Sequence, residues 1–345
     1  MRIRDSGNEM PRVTVIGGGA WGTTLAMVSV RAGNDTALYV RNVSARRFMD
    51  TQRQHPHSLP GITLPPEIRF PTDPGEALEM SDIVILAIPT QKLRAGIMPL
   101  RELLQGKVVV SAAKGIEIGT LLRPTRIIED ILGSRDRMAI CALSGPNLSA
   151  EIASGKPATT VVASSDSEAA ERVQRTLMGD TFRVYTSSDV VGVEMGGALK
   201  NIIAIGAGIG DGLQAGDNAK AAFLTRGIAE MTRLGMAHGA EPLTFAGLSG
   251  IGDLIATCSS PLSRNHQVGR GLATGAALED VLAGMTEVAE GVDTTRAAIS
   301  LARRSGTEMP IAEQMFKVMF ERKSPVDAVR DLMIREPRSE LHGSI

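Results

Sequence analysis

The spacing of hydrophobic and polar positions changes about halfway along the chain. In the first half, short apolar runs of strand length alternate with stretches in helical spacing. The predicted strands are 13–16, 36–40, 83–88, 108–110, 138–143, 159–163 and 182–185. Most of these runs are continuously apolar, which indicates strands buried on both faces of a mostly parallel sheet. The pattern therefore predicts the doubly wound α/β fold class.

Beyond about residue 189 the strand pattern ends and helical spacing takes over. The clearest helical segments are 219–234, 276–282, 294–303 and 312–320. This change predicts a flexible tail at residues 1–10, an α/β domain at 11–190 and an all-helical domain at 191–345.

Composition excludes several classes of function. The formal net charge of −1 offers no basis for nucleic-acid binding, and 3% aromatic residues argue against base stacking. The first residues lack the apolar segment of a signal peptide, and only two cysteines occur, Cys141 and Cys258. No unbroken apolar run reaches the length of a membrane span. We therefore expect a cytoplasmic protein with no membrane span and no nucleic-acid partner.

A glycine-rich turn follows the first predicted strand and opens the first predicted helix. Its Gly17-x-Gly19-x-x-Gly22 pattern lets a pyrophosphate approach the backbone and lets helix and strand pack closely. Free N–H groups at the helix start attract the negative charge. The motif in this setting predicts a Rossmann-like dinucleotide-binding domain, with Ala20 and Trp21 of the same turn also at the cofactor.

Arg41 follows the second predicted strand, where an NAD-selective site usually carries an acidic residue for the ribose hydroxyls. A guanidinium there favours the 2′-phosphate of NADP(H) through bidentate hydrogen bonds. The alternative is a solvated arginine at a strand end. We predict a preference for NADP(H), or use of both NADP(H) and NAD(H).

Lys200 lies in the glycine- and alanine-rich stretch 196–212, among apolar residues where an unpaired charge is costly. A lysine in this setting is either paired with an acid or used for its proton. The ordinary alternative is an ammonium that extends to solvent along an apolar stem, but the flanking residues are too small and apolar for that.

Further motifs accompany this lysine. The stretch from residue 196 to 218 has a Gly-Ala-Leu-Lys-Asn start, an Asp-Gly pair and a Gly-Asp-Asn finish. The other motifs are Ser-Ala-Ala-Lys-Gly at 111–115, Ser-Gly-Pro at 144–146, Gly-Leu-Ser-Gly-Ile-Gly-Asp-Leu at 247–254 and Ser-Arg-Asn at 263–265. Together they resemble the NAD(P)-dependent glycerol-3-phosphate dehydrogenases, over residues 11 to about 321. The chain departs from that family at 147–149 and at Ser58, where an aromatic residue is common.

The resemblance implies reversible reduction of dihydroxyacetone phosphate to sn-glycerol 3-phosphate with NAD(P)H, which supplies glycerophospholipid synthesis in bacterial members. It implies that Lys200 donates the proton to the substrate oxygen and takes it back in the reverse direction. Lys114 is expected to hold that oxygen and to lower the pKa of Lys200. Asp253 is expected to orient one of the two lysines; alternatively it caps a helix, since glycine precedes it.

The other implied residues divide between substrate and cofactor. The expected substrate ligands, besides the two lysines and Asp253, are Gly145, Asn147, Asn201, Thr257, Ser263, Arg264 and Asn265. The expected cofactor ligands, besides the glycine turn and Arg41, are Ser58, Lys114, Ser149, Arg264, Val288 and Glu290. The Ser-Arg-Asn set offers a hydroxyl, a guanidinium and an amide to a phosphate, although by itself it also fits a polar loop.

No metal site is predicted, because His55 and His57 are two residues apart in a proline-rich loop that has no further ligands; we interpret both as surface residues. Two other functions stay open: a related two-domain NAD(P)-dependent hydroxyacid dehydrogenase, and a nucleotide-binding protein without catalysis.

Small residues in the helical half fit either a homodimer interface or tight internal packing.

Overall fold

The computed structural model describes residues 10–133, 139–285, 287–337 and 339–340. Within them, a seven-stranded sheet is followed by a helical half. The strands are β1 Arg12–Ile16, β2 Asp35–Tyr39, β3 Ile83–Leu86, β4 Val108–Ser111, β5 Ile140–Ser144, β6 Ala158–Ala163 and β7 Phe182–Ser187. The helices among them are α1 Ala20–Arg31, α2 Val43–Gln52, α3 Pro74–Glu79, α4 Thr90–Ile97, α5 Pro124–Leu132, α6 Ser149–Ala153 and α7 Ser167–Leu177, with a 3₁₀-helix at Met98–Leu104.

The sheet has the strand order β2-β1-β3-β4-β5-β6-β7. All neighbours are parallel except β5 and β6, which run antiparallel. Buried side chains on one face pack with α1 and α7, and those on the other face pack with α4 and α5. The predicted fold class is confirmed; of the predicted strand 138–143, Met138 lies outside the described residues.

The strand order changes direction at β1, which lies between β2 on one side and β3 on the other. In open α/β sheets, ligands bind outside the carboxyl ends of the strands at such a switch point. The glycine turn follows β1 directly, so the topology places it in the crevice where a dinucleotide binds.

The helical half is built around one long helix, α8 Val190–Gly212. The other helices are α9 Asp217–Ala237, α10 Asp253–Ser259, α11 Arg264–Ala273, α12 Leu278–Ala283, α13 Glu290–Ser305, α14 Pro310–Phe320 and α15 Pro325–Met333. A 3₁₀-helix at Pro242–Ala246 and a π-helical turn at Leu248–Gly252 precede α10. Helix α8 contacts α9, α10, α11, α13 and α14, so it is the central helix of this half.

Close contact with α8 requires small side chains. A Cβ atom added at Gly208 would lie 2.1 Å from the carbonyl oxygen of His266, too close for any substitution without movement of α11. In length and composition α8 meets the criteria for a membrane span, with 23 residues and a mean hydropathy of 1.4, but 89% of that window is buried inside the protein. Its apolar sequence is interrupted by Glu194 and Lys200, and its position is that of a core helix.

The change from strand to helix falls between Ser187 and Val190, inside the segment 187–193 that the sequence indicated. Glu194 of α8 joins the two halves, because its carboxylate accepts hydrogen bonds from the main-chain N–H (2.8 Å) and hydroxyl (2.6 Å) of Thr125 at the start of α5. The exact domain limits at residues 190 and 191 remain a proposal, and residues 1–9 of the predicted tail lie outside the described residues.

Candidate active site

The glycine turn has the shape that a pyrophosphate site needs. Gly17 has a φ of +121°, and a Cβ atom added there would lie 2.3 Å from the carbonyl oxygen of Ala87. At Gly22, an added Cβ would lie 1.9 Å from the carbonyl oxygen of Gly17. Gly19 faces open space, and α1 begins without a side-chain cap or an acidic residue in its first turn. Its first N–H groups are therefore open to an anionic ligand.

His55 contacts this turn from the loop 53–73, so its interpretation as a surface residue is wrong. Its ring is partly buried, and its Nε2 lies 2.9 Å from the carbonyl oxygen of Gly18. Its Nδ1 accepts the main-chain N–H of Ser58 at 2.9 Å. His57, by contrast, is exposed, as predicted. The loop 53–73 folds back over the glycine turn, a long-range contact that residue spacing does not reveal.

The other predicted cofactor residues lie near the carboxyl ends of the strands. Arg41 is exposed just after β2, as either interpretation of it requires. Ala20 and Ser149 are the first residues of α1 and α6, and Thr24 of α1 donates to the carbonyl of Ser149 at 3.2 Å. Trp21 has a buried Nε1 with no hydrogen-bond partner among the described residues, a donor left for a ligand.

Two lysines share one carboxylate at the centre of the molecule. Lys200 on α8 donates to Asp253 Oδ1 at 2.8 Å, and Lys114, which follows β4, donates to Asp253 Oδ2 at 2.6 Å. Lys200 also donates to the hydroxyl of Thr257 at 2.5 Å. Lys200 and Asp253 are buried, with 8% and 3% of their side chains exposed, and Lys114 is largely buried, with 16% exposed. Lys200 is thus directly paired with Asp253, and the solvent-directed alternative is wrong.

The alternative that Asp253 caps a helix is also wrong. Asp253 is the first residue of α10, and Gly252 occupies the capping position, where no side-chain hydrogen bond is made. The carboxylate instead accepts from the two ammonium groups and from the Thr257 hydroxyl, at 3.1 Å, one turn further along the helix. The glycines before it allow the π-helical turn that carries Asp253 into the site.

Burial and charge shift two pKa values at this cluster. Burial, together with the positive charge of Lys200, lowers the pKa of Lys114 to about 8 against the opposing effect of Asp253. Burial alone would raise the pKa of Asp253, but the charges of Lys114 and Lys200 outweigh it and hold that pKa below its ordinary value. The carboxylate is therefore ionised at neutral pH, between two buried lysines.

The sheet half supplies the opposite wall. Lys114 also donates to the carbonyl of Gly145 at 2.8 Å, and Gly145, just after β5, has a φ of +143°. Asn147 donates to the hydroxyl of Thr160 at 3.2 Å, and its Oδ1 is buried without a partner among the described residues. The turn after β5 therefore lies beside Lys114 with one acceptor still unused.

The Ser-Arg-Asn set starts a helix and does not form a polar loop. Ser263 caps α11, because its hydroxyl accepts the main-chain N–H of His266 at 3.3 Å. Asn265 donates to Asn201 Oδ1 at 2.8 Å and accepts from the N–H of Gly291 at 3.0 Å. Of the three predicted phosphate ligands, Ser263 thus caps its own helix and Asn265 joins α11 to its neighbours.

Arg264 is the member of the set that faces outward. Its Nη1 donates to the carbonyl of Val288 at 2.8 Å, and its side chain is 44% exposed. Among the described residues, no hydrogen bond engages its Nε or Nη2. The guanidinium is therefore held at one corner and keeps donors for an anion.

Glu290 connects the helical half to the ends of β3 and β4. Its Oε1 accepts the main-chain N–H of Thr90 at 3.0 Å, while its Oε2 is buried without a partner among the described residues. Burial raises the pKa of this carboxyl to about 7. A Cβ atom added at Gly115, next to Lys114, would lie 3.0 Å from Oε2. The carboxyl thus lies next to the Lys114 segment, at the edge of the sheet where the cofactor is expected.

The sequence prediction missed three residues at this site. Thr90 bonds Glu290 from a position 200 residues away, and Glu287 accepts a hydrogen bond from Ser58 across 229 residues. Gly197 on α8 lies against Ser144, where an added Cβ would be 2.5 Å from the hydroxyl oxygen. The sequence around Glu287 and Thr90 does not indicate a role at the site. Gly197, by contrast, lies inside the glycine-rich stretch 196–212, so the sequence could have indicated it.

Comparison with known proteins agrees with this geometry. Residues 12–170 match the family model described as the NAD-dependent glycerol-3-phosphate dehydrogenase N-terminus, and residues 189–330 match the model of its C-terminus. The two models together cover most of the chain, and the gap between them contains β7.

Individual relatives give the same result. The chain is 44% identical over 331 residues to a glycerol-3-phosphate dehydrogenase [NAD(P)+] of Streptomyces avermitilis, covering 95% of this chain and 98% of the relative. It is 46% identical to that of Geobacter sulfurreducens, with the same coverage. A solved glycerol-3-phosphate dehydrogenase from Coxiella burnetii superposes with a TM-score of 0.90 at 31% identity, covering 94% of this chain and 99% of the other. The chain belongs to the NAD-dependent glycerol-3-phosphate dehydrogenase family.

Proposed function

We propose that this chain catalyses the reversible reduction of dihydroxyacetone phosphate to sn-glycerol 3-phosphate with NAD(P)H. The observation that carries the proposal is the pair of buried lysines, Lys200 and Lys114, on a single carboxylate beside a dinucleotide-type glycine turn. Family membership supports this reaction over the hydroxyacid dehydrogenase and over a nucleotide-binding protein without catalysis.

The two lysines have different roles at the substrate oxygen: Lys114 binds it and Lys200 protonates it. Lys114, held by Asp253 and Gly145, positions the carbonyl oxygen and stabilises the negative charge that develops on it. Lys200 then transfers a proton from Nζ to that oxygen and is left as a neutral amine, which regains a proton from solvent. In alcohol oxidation the same nitrogen accepts the hydroxyl proton. The nicotinamide, when bound, supplies or accepts the hydride at the substrate carbon.

Asp253 and Thr257 hold Lys200 in place for this transfer. Their oxygens receive hydrogen bonds from its ammonium group, which leaves its remaining hydrogen free to point at a substrate. Asn201, one residue further along α8, extends the polar wall toward Asn265. We assign the substrate phosphate to Arg264, with Ser263, Asn265 and the turn Gly145–Asn147 forming the rest of its surroundings.

We assign the cofactor pyrophosphate to Gly17, Gly19 and Gly22, with Ala20 and Trp21 of the same turn. The fit rests on the open N–H groups at the start of α1 and on the unpartnered Trp21 Nε1. Arg41 supports binding of a 2′-phosphate and hence use of NADP(H), alongside NAD(H). The remaining assignments to the cofactor surround this turn and Lys114: they are Ser58, Ser149, Arg264, Val288 and Glu290.

The wider biological role follows from the product. sn-Glycerol 3-phosphate is the backbone of glycerophospholipids, so we propose that the enzyme supplies their synthesis in the cytoplasm. A homodimer also remains a proposal. The glycines of α8, such as Gly206 and Gly208, are used in contacts with Phe223 and His266 inside the chain, so they give it no separate support.

Two measurements test the function. NADPH consumption is followed with dihydroxyacetone phosphate and with unphosphorylated dihydroxyacetone; equal rates with both would contradict the phosphate assignment. Lys200→Ala is expected to reduce kcat by at least about 10²-fold while NADPH binding is nearly retained, because a positioned acid contributes roughly 10²–10⁴-fold. The matched control is Lys156→Ala, which removes an exposed lysine in a surface ion pair. Unchanged turnover in Lys200→Ala would refute the role of Lys200.

A further inference from the structure

Glu287 lies between the two halves of the protein, and the proposed reaction does not use it. Its Oε1 accepts a hydrogen bond from the hydroxyl of Ser58, which belongs to the sheet half. Its Oε2 lies 3.5 Å from Nη1 of Arg264, which belongs to the helical half. The carboxylate is half-buried, with 29% of the side chain exposed. It therefore contacts both a predicted cofactor residue and the predicted phosphate arginine.

The contacts continue from Ser58 to the glycine turn. The main-chain N–H of Ser58 donates to His55 Nδ1 at 2.9 Å, and His55 Nε2 lies 2.9 Å from the carbonyl oxygen of Gly18. An unbroken series of polar contacts thus runs from Arg264 through Glu287, Ser58 and His55 to Gly18. Its two ends are the proposed binding sites of the substrate phosphate and the cofactor pyrophosphate.

Glu287 also limits how Arg264 is oriented. The carbonyl of Val288 at 2.8 Å and the Glu287 carboxylate at 3.5 Å both face Nη1, so one corner of the guanidinium is fixed. A planar guanidinium fixed at one corner presents its other N–H groups in a set direction, which favours bidentate binding of a phosphate. A long arginine side chain without this restraint loses more conformational entropy when the phosphate binds.

Resting on the proposed function, we infer that Glu287 is a positioning residue that holds Arg264 for the substrate phosphate and ties it, through Ser58, to the cofactor turn. Glu287 contacts neither reacting atom, so its effect is on binding. Affinity for the phosphorylated substrate and affinity for the cofactor both depend on this one carboxylate.

The test compares Glu287→Ala with Glu279→Ala, which removes an exposed carboxylate on α12. In Glu287→Ala we expect KM for dihydroxyacetone phosphate to rise about five- to tenfold and the Kd of NADPH to rise about threefold, with kcat within about threefold. The kcat/KM for unphosphorylated dihydroxyacetone is expected to stay unchanged at saturating NADPH. Glu287→Gln, which keeps an acceptor for Ser58, is expected to restore the Kd of NADPH.

Double variants identify the partners. In an Arg264→Ala background, Glu287→Ala is expected to have no further effect on KM for dihydroxyacetone phosphate, and in a Ser58→Ala background none on the Kd of NADPH. Equal losses with both substrates, a lowered KM, or additive effects in these backgrounds would overturn the inference. A wild-type protein that does not reduce dihydroxyacetone phosphate would instead overturn the proposed function.

Discussion

Asp253→Asn removes one negative charge from the centre of the site and keeps the volume of the side chain. In the wild type this carboxylate accepts from Lys200 at 2.8 Å and from Lys114 at 2.6 Å. Removing one member of a buried ion pair costs about 3–5 kcal/mol, because an uncompensated charge stays behind. Here two ammonium groups lose the same partner, so we expect a loss of unfolding free energy of about this size at neutral pH.

The loss depends on pH in a defined direction. Burial already lowers the pKa of Lys114 to about 8, and Asp253 is the charge that opposes this shift. Without Asp253 the pKa of Lys114 in the folded protein falls further below its unfolded value of about 10.4. A lysine shifted in this direction destabilises the fold when protonated. The deficit relative to the wild type is therefore largest below the lowered pKa of the variant and shrinks to nothing as pH rises through about 8, above which Lys114 is neutral in both folded proteins.

Activity is also expected to depend on the titration of Lys114. Reduction requires a protonated Lys114 at the substrate oxygen, so kcat/KM for dihydroxyacetone phosphate is expected to fall on the alkaline side near pH 8 in the wild type. In Asp253→Asn this alkaline limb is expected to move to lower pH by at least about one unit, since a charge at this distance is worth more than 1.4 kcal/mol.

The assays are thermal unfolding and kcat/KM, each measured from about pH 6 to about pH 10 across the range in which lysine and its shifted forms titrate. Asp180→Asn, at an exposed position, is the charge-matched control. A stability deficit that is the same at every pH would refute the reasoning. So would an alkaline limb that does not move.

Three further changes test other parts of the structure. Gly197→Ala places a Cβ 2.5 Å from the Ser144 hydroxyl and is expected to cost about 1–3 kcal/mol of stability and to lower kcat/KM. Gly210→Ala on the same helix meets open space and is expected to stabilise slightly; equal effects would contradict the packing account. Burial raises the pKa of Glu230 from 4.5 to about 7, so the folded protein loses stability as pH rises between these two values. Glu230→Gln is therefore expected to gain melting temperature over the wild type at pH 8 relative to pH 5, and a pH-independent difference would argue against it. Arg41→Asp is expected to lower the NADPH/NADH ratio of kcat/KM by at least about tenfold, and an unchanged ratio would refute the 2′-phosphate assignment.

The strands were predictable because buried parallel strands are continuously apolar. Val84 and Ile85 are adjacent and both fully buried, which only a sheet covered on two faces allows. The direction of β6 was not predictable, since its Thr-Thr-Val-Val-Ala run resembles those of its parallel neighbours.

At the site, too, some features were predictable from the sequence and others were not. Lys114, Lys200 and Asp253 were found through motifs, and the structure brings them together. Ser263 and Asn265 were assigned to the substrate from the family resemblance and their chemistry, and in the structure their polar atoms bond the protein itself. Local motifs indicate which groups are present, whereas their partners depend on contacts between distant segments. The Lys114–Asp253 pair joins positions 139 residues apart, a distance that no local pattern spans.

That separation has a consequence for biosynthesis. Chains emerge from the ribosome N-terminus first, so the seven strands, which end at Ser187, are complete before Asp253 has been translated. During that interval Lys114 lacks its counterion. A nascent chain that stops before α10 holds the cofactor turn without the carboxylate that pairs its lysine. Translation must therefore continue through α10 and α11 before the site exists, and a truncated product is incapable of turnover however well its sheet has formed.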